Sequence, residues 1–173
     1  MTGFLQLAAA PLPVAVEVLR IQLVRYPPDV VAGLSIPATA AHVLTDIGLP
    51  RRGDFFIAAD QPRMVAAGWC RIGRDQATDI CLDAAGHVVS TSESGEYPDR
   101  FVNSDLAAFL RFLALVTAHR AAHAARSDEE TDAHVDAHVD ALAGALAGVD
   151  SEAFAKPGNW WSLVFEQLRH GLL

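Results

Sequence analysis

Five short β-rich runs follow one another through the middle of this chain, and their spacing restricts the fold more than any other feature. They are "DFFIA" (Asp54–Ala58), "WCRIGR" (Trp69–Arg74), "DICLD" (Asp79–Asp83), "HVVSTS" (His87–Ser92) and a short run at Arg100–Val102. Turn material such as "DAAG" (Asp83–Gly86) separates them. Parallel neighbours need a crossover of about a dozen residues or more, and these gaps hold no helix. The spacing therefore predicts an antiparallel meander.

The flanks read differently. In "PATAAHVLTDIGLP" the residues Val43, Leu44 and Ile47 share one helical face; Gly48 sits where a helix-ending glycine belongs and Pro50 prevents continuation. Upstream, Val14–Tyr26 alternates only partly, its phase slips near Val18–Leu19, and its second half reads as a strand ending at Pro27–Pro28. After the meander, "NSDLAAFLRFLALVTAHRAAHAAR" predicts a long helix capped by Asn103 or Ser104, with Asp105 at the positive end of its dipole. Leu106, Phe109, Leu110, Leu113 and Val116 supply its buried stripe. A polar break at Ser127–Asp132 leads to a weakly apolar helix reaching about Ala147, then to a final segment, "NWWSLVFEQLRHGLL". A helical start, a run of strands and closing helices make an α+β domain.

Composition bounds the function. The chain has 173 residues, enough for one compact domain; 51% are hydrophobic and 20% charged, as in a folded globular protein. Asp and Glu outnumber Lys and Arg by 21 to 13. That sign repels phosphate backbones, disfavours direct nucleic-acid binding and suits a basic protein partner. The apolar start lacks a basic leader, its first cation being Arg20, and Pro11 and Pro13 interrupt it. No run reaches the ~18 apolar residues of a membrane span, so the expected location is the cytoplasm, with no membrane partner. Cys70 and Cys81 fit buried thiols in a reducing compartment.

The most chemical-looking stretch is "DAHVDAHVDAL" (Asp132–Leu142). On a helix His134 and His138 share a face, as zinc-binding histidines do, and Asp132, Asp136 and Asp140 form a second row. At ~100° per residue the rows lie about 200° apart, so the aspartates cannot join the histidines. His119 and His123 form another pair four apart, and the two pairs could meet across a helical hairpin. The plainer interpretation is an alanine-rich, solvated helix. Nucleophilic and phosphate-binding signatures are missing: "TSESGE" only superficially resembles a serine elbow, and "RRGD" is turn chemistry. Trp160 and Trp161 at a helix start cannot both face one direction. Core packing with partners for their N–H groups is the plain interpretation; the alternative turns one of them toward a surface or interface and leaves a homodimer open.

Taken together, "AAHVLTDIGLP", "FFIA", "WCRIG", "TDICLDAAGHVVS", "FVNSDLAAFLRFLAL" and the terminal "NWWSLVFEQLRHGLL" resemble the SUKH superfamily, closest to its fourth subfamily of immunity proteins. The resemblance covers roughly residues 37–118 and the last fifteen residues. It implies a single α+β domain over 1–173, with a central, mostly antiparallel or mixed sheet packed by helices. The segment around 124–148 falls outside it and reads as a variable helical insertion. The resemblance also implies a non-enzymatic role without cofactors: binding a cognate bacterial toxin of nuclease or deaminase type and occluding it stoichiometrically. Candidate contact residues are the meander-turn carboxylates Asp60, Asp75, Glu93, Glu96 and Asp99, with Trp69 as an aromatic contact; solvated loop charges are the plain alternative for each. Two other functions stay open: a metal-dependent hydrolase built on His119, His123, His134 and His138, and a regulatory adaptor of the same fold.

Overall fold

A computed structural model describes residues 2–17, 23–65, 68–124 and 132–170; the side chains of residues 2–5, 123–124 and 132–137 lie outside this description. Its centre is a five-stranded antiparallel sheet whose spatial order equals its sequence order: β3 (Ile57–Met64), β4 (Cys70–Arg74), β5 (Asp79–Leu82), β6 (Val88–Thr91) and β7 (Arg100–Asn103). A two-stranded ribbon of β1 (Leu23–Val24) and β2 (Leu49–Pro50) stands apart. The described helices are α1 (Thr2–Ala9), α2 (Leu12–Glu17), α3 (Pro28–Ala32), α4 (Ala38–His42), α5 (Leu106–Ala124), α6 (Asp132–Val149) and α7 (Trp160–Arg169). This is the α+β architecture expected.

Alternation along the strands decides what the sheet buries. Cys70, Ile72, Ile80, Leu82, Val88 and Val102 join one core with α5 and α7. Their neighbours Arg71, Cys81, Val89 and Phe101 pair in register across the opposite side. Cys70 and Cys81 thus occupy adjacent strands yet point to opposite faces, and both are free thiols. Gly73 is required where it stands, because a Cβ there would lie 2.3 Å from the Phe56 ring and 2.5 Å from the Ile57 carbonyl oxygen.

The strand expected at 54–58 begins later. Phe55 and Phe56 are both buried, but the chain turns there, with the Gly53 N–H donating to the Phe56 carbonyl at 2.7 Å. β3 instead continues through the mixed residues 59–64, with a register shift between Ala58 and Arg63. Its place at the sheet edge tolerates Pro62 and charged side chains.

α5 begins at a different cap from the one expected. Asn103 still belongs to β7, and Asp105 Oδ1 accepts the Ala108 N–H at 2.7 Å. The stripe read from the sequence is buried, but so are Phe112, Ala114 and Leu115, because α5 is enclosed on several sides. The Arg111 guanidinium donates to the carbonyls of Ala8 and Ala10, satisfying groups left over at the end of α1. α6 is less solvated than its composition suggests, since Val139, Leu142 and Leu146 enter the core.

Upstream, α4 continues as a π-helical turn through Ile47 and ends at Gly48 with φ +95°, as the helix-ending glycine predicted. Val14–Glu17 is helical; of the strand expected in the second half of 14–26, Leu23–Val24 is present and residues 18–22 lie outside the described residues.

The paired tryptophans follow the core interpretation, not the interface one. Trp160 is 8% exposed and Trp161 fully buried, so neither supplies a surface aromatic or an argument for a dimer. The start of α7 sits in an inside corner that encloses both. Their rings meet edge to face at 4.7 Å, and Phe55 lies 6.2 and 6.1 Å from them.

Candidate partner-binding surface

In an antiparallel meander successive turns alternate between the two ends of the sheet. The β4–β5 turn (75–78) and the β6–β7 loop (92–99) consequently share one end, and they bring Asp75, Glu93, Glu96 and Asp99 together. Trp69, half-buried before β4, belongs to the other end. Asp60 is exposed but lies within the edge strand β3, not on a turn, beside a hollow of about 380 Å³ that also includes Arg51 and Arg52. Four of the six candidates therefore share a neighbourhood, and two do not. Turn parity was the available signal that separates them.

Asp75 is the most constrained of the four. Its Oδ1 accepts the backbone N–H groups of Ala77 at 2.8 Å and Thr78 at 2.6 Å. Its Oδ2 accepts the Thr78 hydroxyl at 2.9 Å and the Trp160 indole N–H at 2.8 Å. With the Thr78 proton committed to Asp75, Ser90 is the donor across the 2.5 Å contact between their hydroxyls. Asp75 is thus a joint that fastens the turn to α7, a sufficient structural reason for a carboxylate there.

The 92–99 loop presents a freer surface. Thr91 donates to Asp99 Oδ1 at 2.6 Å, and the Ser92 and Ser94 hydroxyls meet at 2.9 Å, which shapes the loop from within. Glu93, Glu96 and Tyr97 project outward. Neither glutamate makes an ion pair among the described residues. Tyr97 is 39% exposed, one of the few large apolar side chains so placed. It faces a cleft of about 310 Å³ between the loop and α7, with Phe55, Trp160, Leu163 and Val164 in its lining and Asp54, Thr78 and Arg100 also present. Across the β4–β5 turn lies a polar hollow of about 380 Å³ that includes Arg71, Arg74, Asp79 and Glu93. Arg71 and Asp79 bond there at 3.0 Å. Tyr97 was not singled out in the sequence, although an aromatic inside "ESGEYPD" is unusual for a turn.

A buried polar network holds α7 against the sheet from the core side. Trp161 donates to Asn103 Oδ1 at 2.9 Å, and Asn103 donates through Nδ2 to Asp150 at 3.0 Å. Asp150 also accepts the Ser104 N–H at 2.7 Å and its hydroxyl at 2.8 Å. The two tryptophans therefore anchor α7 to different points, Trp160 to the β4–β5 turn and Trp161 to β7.

The other chemistry is sparse. Burial pushes the Cys70 thiol up to about 11. Burial, helped by the Asp79 carboxylate, pushes Cys81 up to about 12, so neither is an activated nucleophile. The rings of His119 and His138 lie 6.4 Å apart between α5 and α6, but the side chains of His123 and His134 are outside the described residues. Among the described residues no group of three or more metal-ligating side chains is assembled. None of their helices is long and apolar enough to cross a membrane.

Residues 9–167 match the SUKH-4 immunity protein family. The chain belongs to that family. The matched span contains the whole meander, the tryptophan anchors and the 92–99 loop, so the surface just described lies inside the SUKH-4 unit. No curated protein and no solved structure matches the chain.

Proposed function

We propose that this SUKH-4 chain protects its cell by binding a cognate bacterial toxin, one to one, and covering the surface the toxin needs for activity. Membership of an immunity protein family over residues 9–167 carries the proposal. The acidic balance of the chain supports a basic partner, as a nuclease or deaminase with a phosphate-binding cleft would be, and favours fast, steered association. The same charge works against direct nucleic-acid binding. In this role the protein acts in the cytoplasm without catalysis, and residues 124–148 are the segment that varies between relatives.

Co-expression with the toxin encoded beside its gene tests this directly. Cells survive, and sizing of the mixed proteins gives a 1:1 complex. Protection that persists after the complex has been abolished refutes occlusion. The approach of His119 to His138 keeps a metal-dependent reading in view, and metal removal separates it from the first.

A further inference from the structure

We infer that the cleft between α7 and the 92–99 loop is where the partner docks, and that it receives a basic segment whose arginine or lysine stem lies against Tyr97. This rests on the binding role proposed above and names its surface. Three features converge. The cleft is apolar on one side, through half-buried Leu163 and the small exposed edges of the otherwise buried Phe55, Trp160 and Val164. Tyr97 stands half in solvent at its edge, in a loop whose neighbouring residues are all exposed. Asp54 and Asp75 face Arg100 in the lining, and Glu96 and Asp99 add negative charge on the loop, while Glu93 borders the neighbouring hollow with Arg71 and Arg74.

A long cationic side chain suits such a site, because its methylene stem covers apolar surface while its head group stays with carboxylates and water. Tyrosine adds a ring face for the cation and little entropy cost on binding. The volume of about 310 Å³ has room for a side chain or two of a protruding loop, at the lower limit for a small-molecule pocket. The wall is already rigid, since Trp160 is held by Asp75 and Trp161 by Asn103. Pre-organisation of this kind lowers the cost of association. Of the carboxylates, Asp54 already meets Arg120 at 3.4 Å, Asp75 holds its turn and Trp160, and Asp99 accepts from Thr91, so Glu96 is left to set the attraction.

The three tryptophans make the test local. Trp160 borders the cleft, Trp161 is sealed in the core, and Trp69 lies at the other end of the sheet. The full chain is labelled with 15N and titrated with the peptides Ac-Arg-Leu-Arg-NH2 and Ac-Glu-Leu-Glu-NH2 while the three indole N–H signals are followed. The expected result is a salt-sensitive shift of Trp160 with the arginine peptide, none with the glutamate peptide, and little movement of Trp69 or Trp161. Tyr97→Ala and Glu96→Lys change exposed loop positions, and each weakens the titration about tenfold. No shift, a shift led by Trp69, or equal response to both peptides overturns the proposal.

The same two variants are then placed in the toxin-protection assay. Full protection by both sinks the cleft as the docking site while leaving the immunity role intact. Loss of protection by variants that keep the wild-type melting temperature supports the cleft. Failure of the wild type to protect counts against the immunity role, and the peptide titration then judges the cleft alone. Self-association on sizing that Tyr97→Ala abolishes makes a second copy the occupant, and overturns the partner named here.

Discussion

The indole N–H of Trp160 donates to Asp75 Oδ2 at 2.8 Å, joining the start of the last helix to the β4–β5 turn across 85 residues of sequence. One carboxylate thereby sets both the shape of the turn and the position of α7. Trp160→Phe retains most of the ring packing and loses this bond. A hydrogen bond to a charged group contributes about 1.5–3 kcal/mol, so the urea midpoint should fall accordingly with little change in m. An unchanged midpoint would mean that the bond contributes nothing net.

Asp150 has a larger expected effect. It accepts from Asn103 and twice from Ser104 in a buried site, and Asn103 in turn receives Trp161. Asp150→Ala strands these donors and should cost about 3 kcal/mol or more. Thermal unfolding of this variant and of Asp150→Asn measures it, and the asparagine should recover part of the loss.

Gly73→Ala tests the close approach of β4 to the 55–57 segment. The added Cβ meets backbone at 2.5 Å as well as the Phe56 ring, and the backbone cannot simply rotate away. Destabilisation of about 1–3 kcal/mol is expected from overpacking alone. Equal stability of the alanine variant in denaturant would contradict the geometry.

The thiols predict a pH dependence at the alkaline end. Their usual value is 9.0, and burial raises Cys70 to about 11 and Cys81 to about 12. Unfolded thiols ionise near pH 9 while the folded ones stay neutral. The stabilisation is therefore complete below pH 9 and lost as pH rises toward 11–12. A double Cys70→Ala, Cys81→Ala variant should show a flatter decline over that range. In the wild type a thiol reagent at pH 8 should react only after denaturation.

Metal removal separates the two functional readings. Chelation followed by dialysis is expected to leave melting temperature and toxin protection unchanged. Zinc or nickel then adds little stability beyond what a His119→Ala, His138→Ala variant shows. A protein that loses protection on chelation and regains it with one metal would favour the histidine site.

Local chemistry made much of this molecule legible. Strand identity in 69–74, 79–83 and 87–92 followed from β-branched and apolar runs between turns, and their antiparallel pairing followed from gaps too short for a crossover. The end of the α4 segment was readable because Gly48 adopts a backbone that other residues resist. Family membership was legible for the same reason, since it resides in these plain apolar runs.

Other features depend on what each segment meets in space. Phe55 and Phe56 read as strand, but a corner of the core takes both side chains and bends the chain. Residues 59–64 carry no strand signature, and Arg63 and Met64 pair only because β4 lies beside them. Trp160 and Trp161 left core and interface both open, and a corner built from the sheet and Phe55 encloses both. Asp75 reads as any loop carboxylate until the Trp160 indole reaches it. The sequence by itself determined the kinds of elements, their antiparallel order and the acidic character of the surface, because these depend on residues close in the chain or on simple sums. Only the tertiary structure decided which of the turn carboxylates are consumed as joints, and that Tyr97 stands over a cleft, because hydrogen bonding and burial depend on partners tens of residues away.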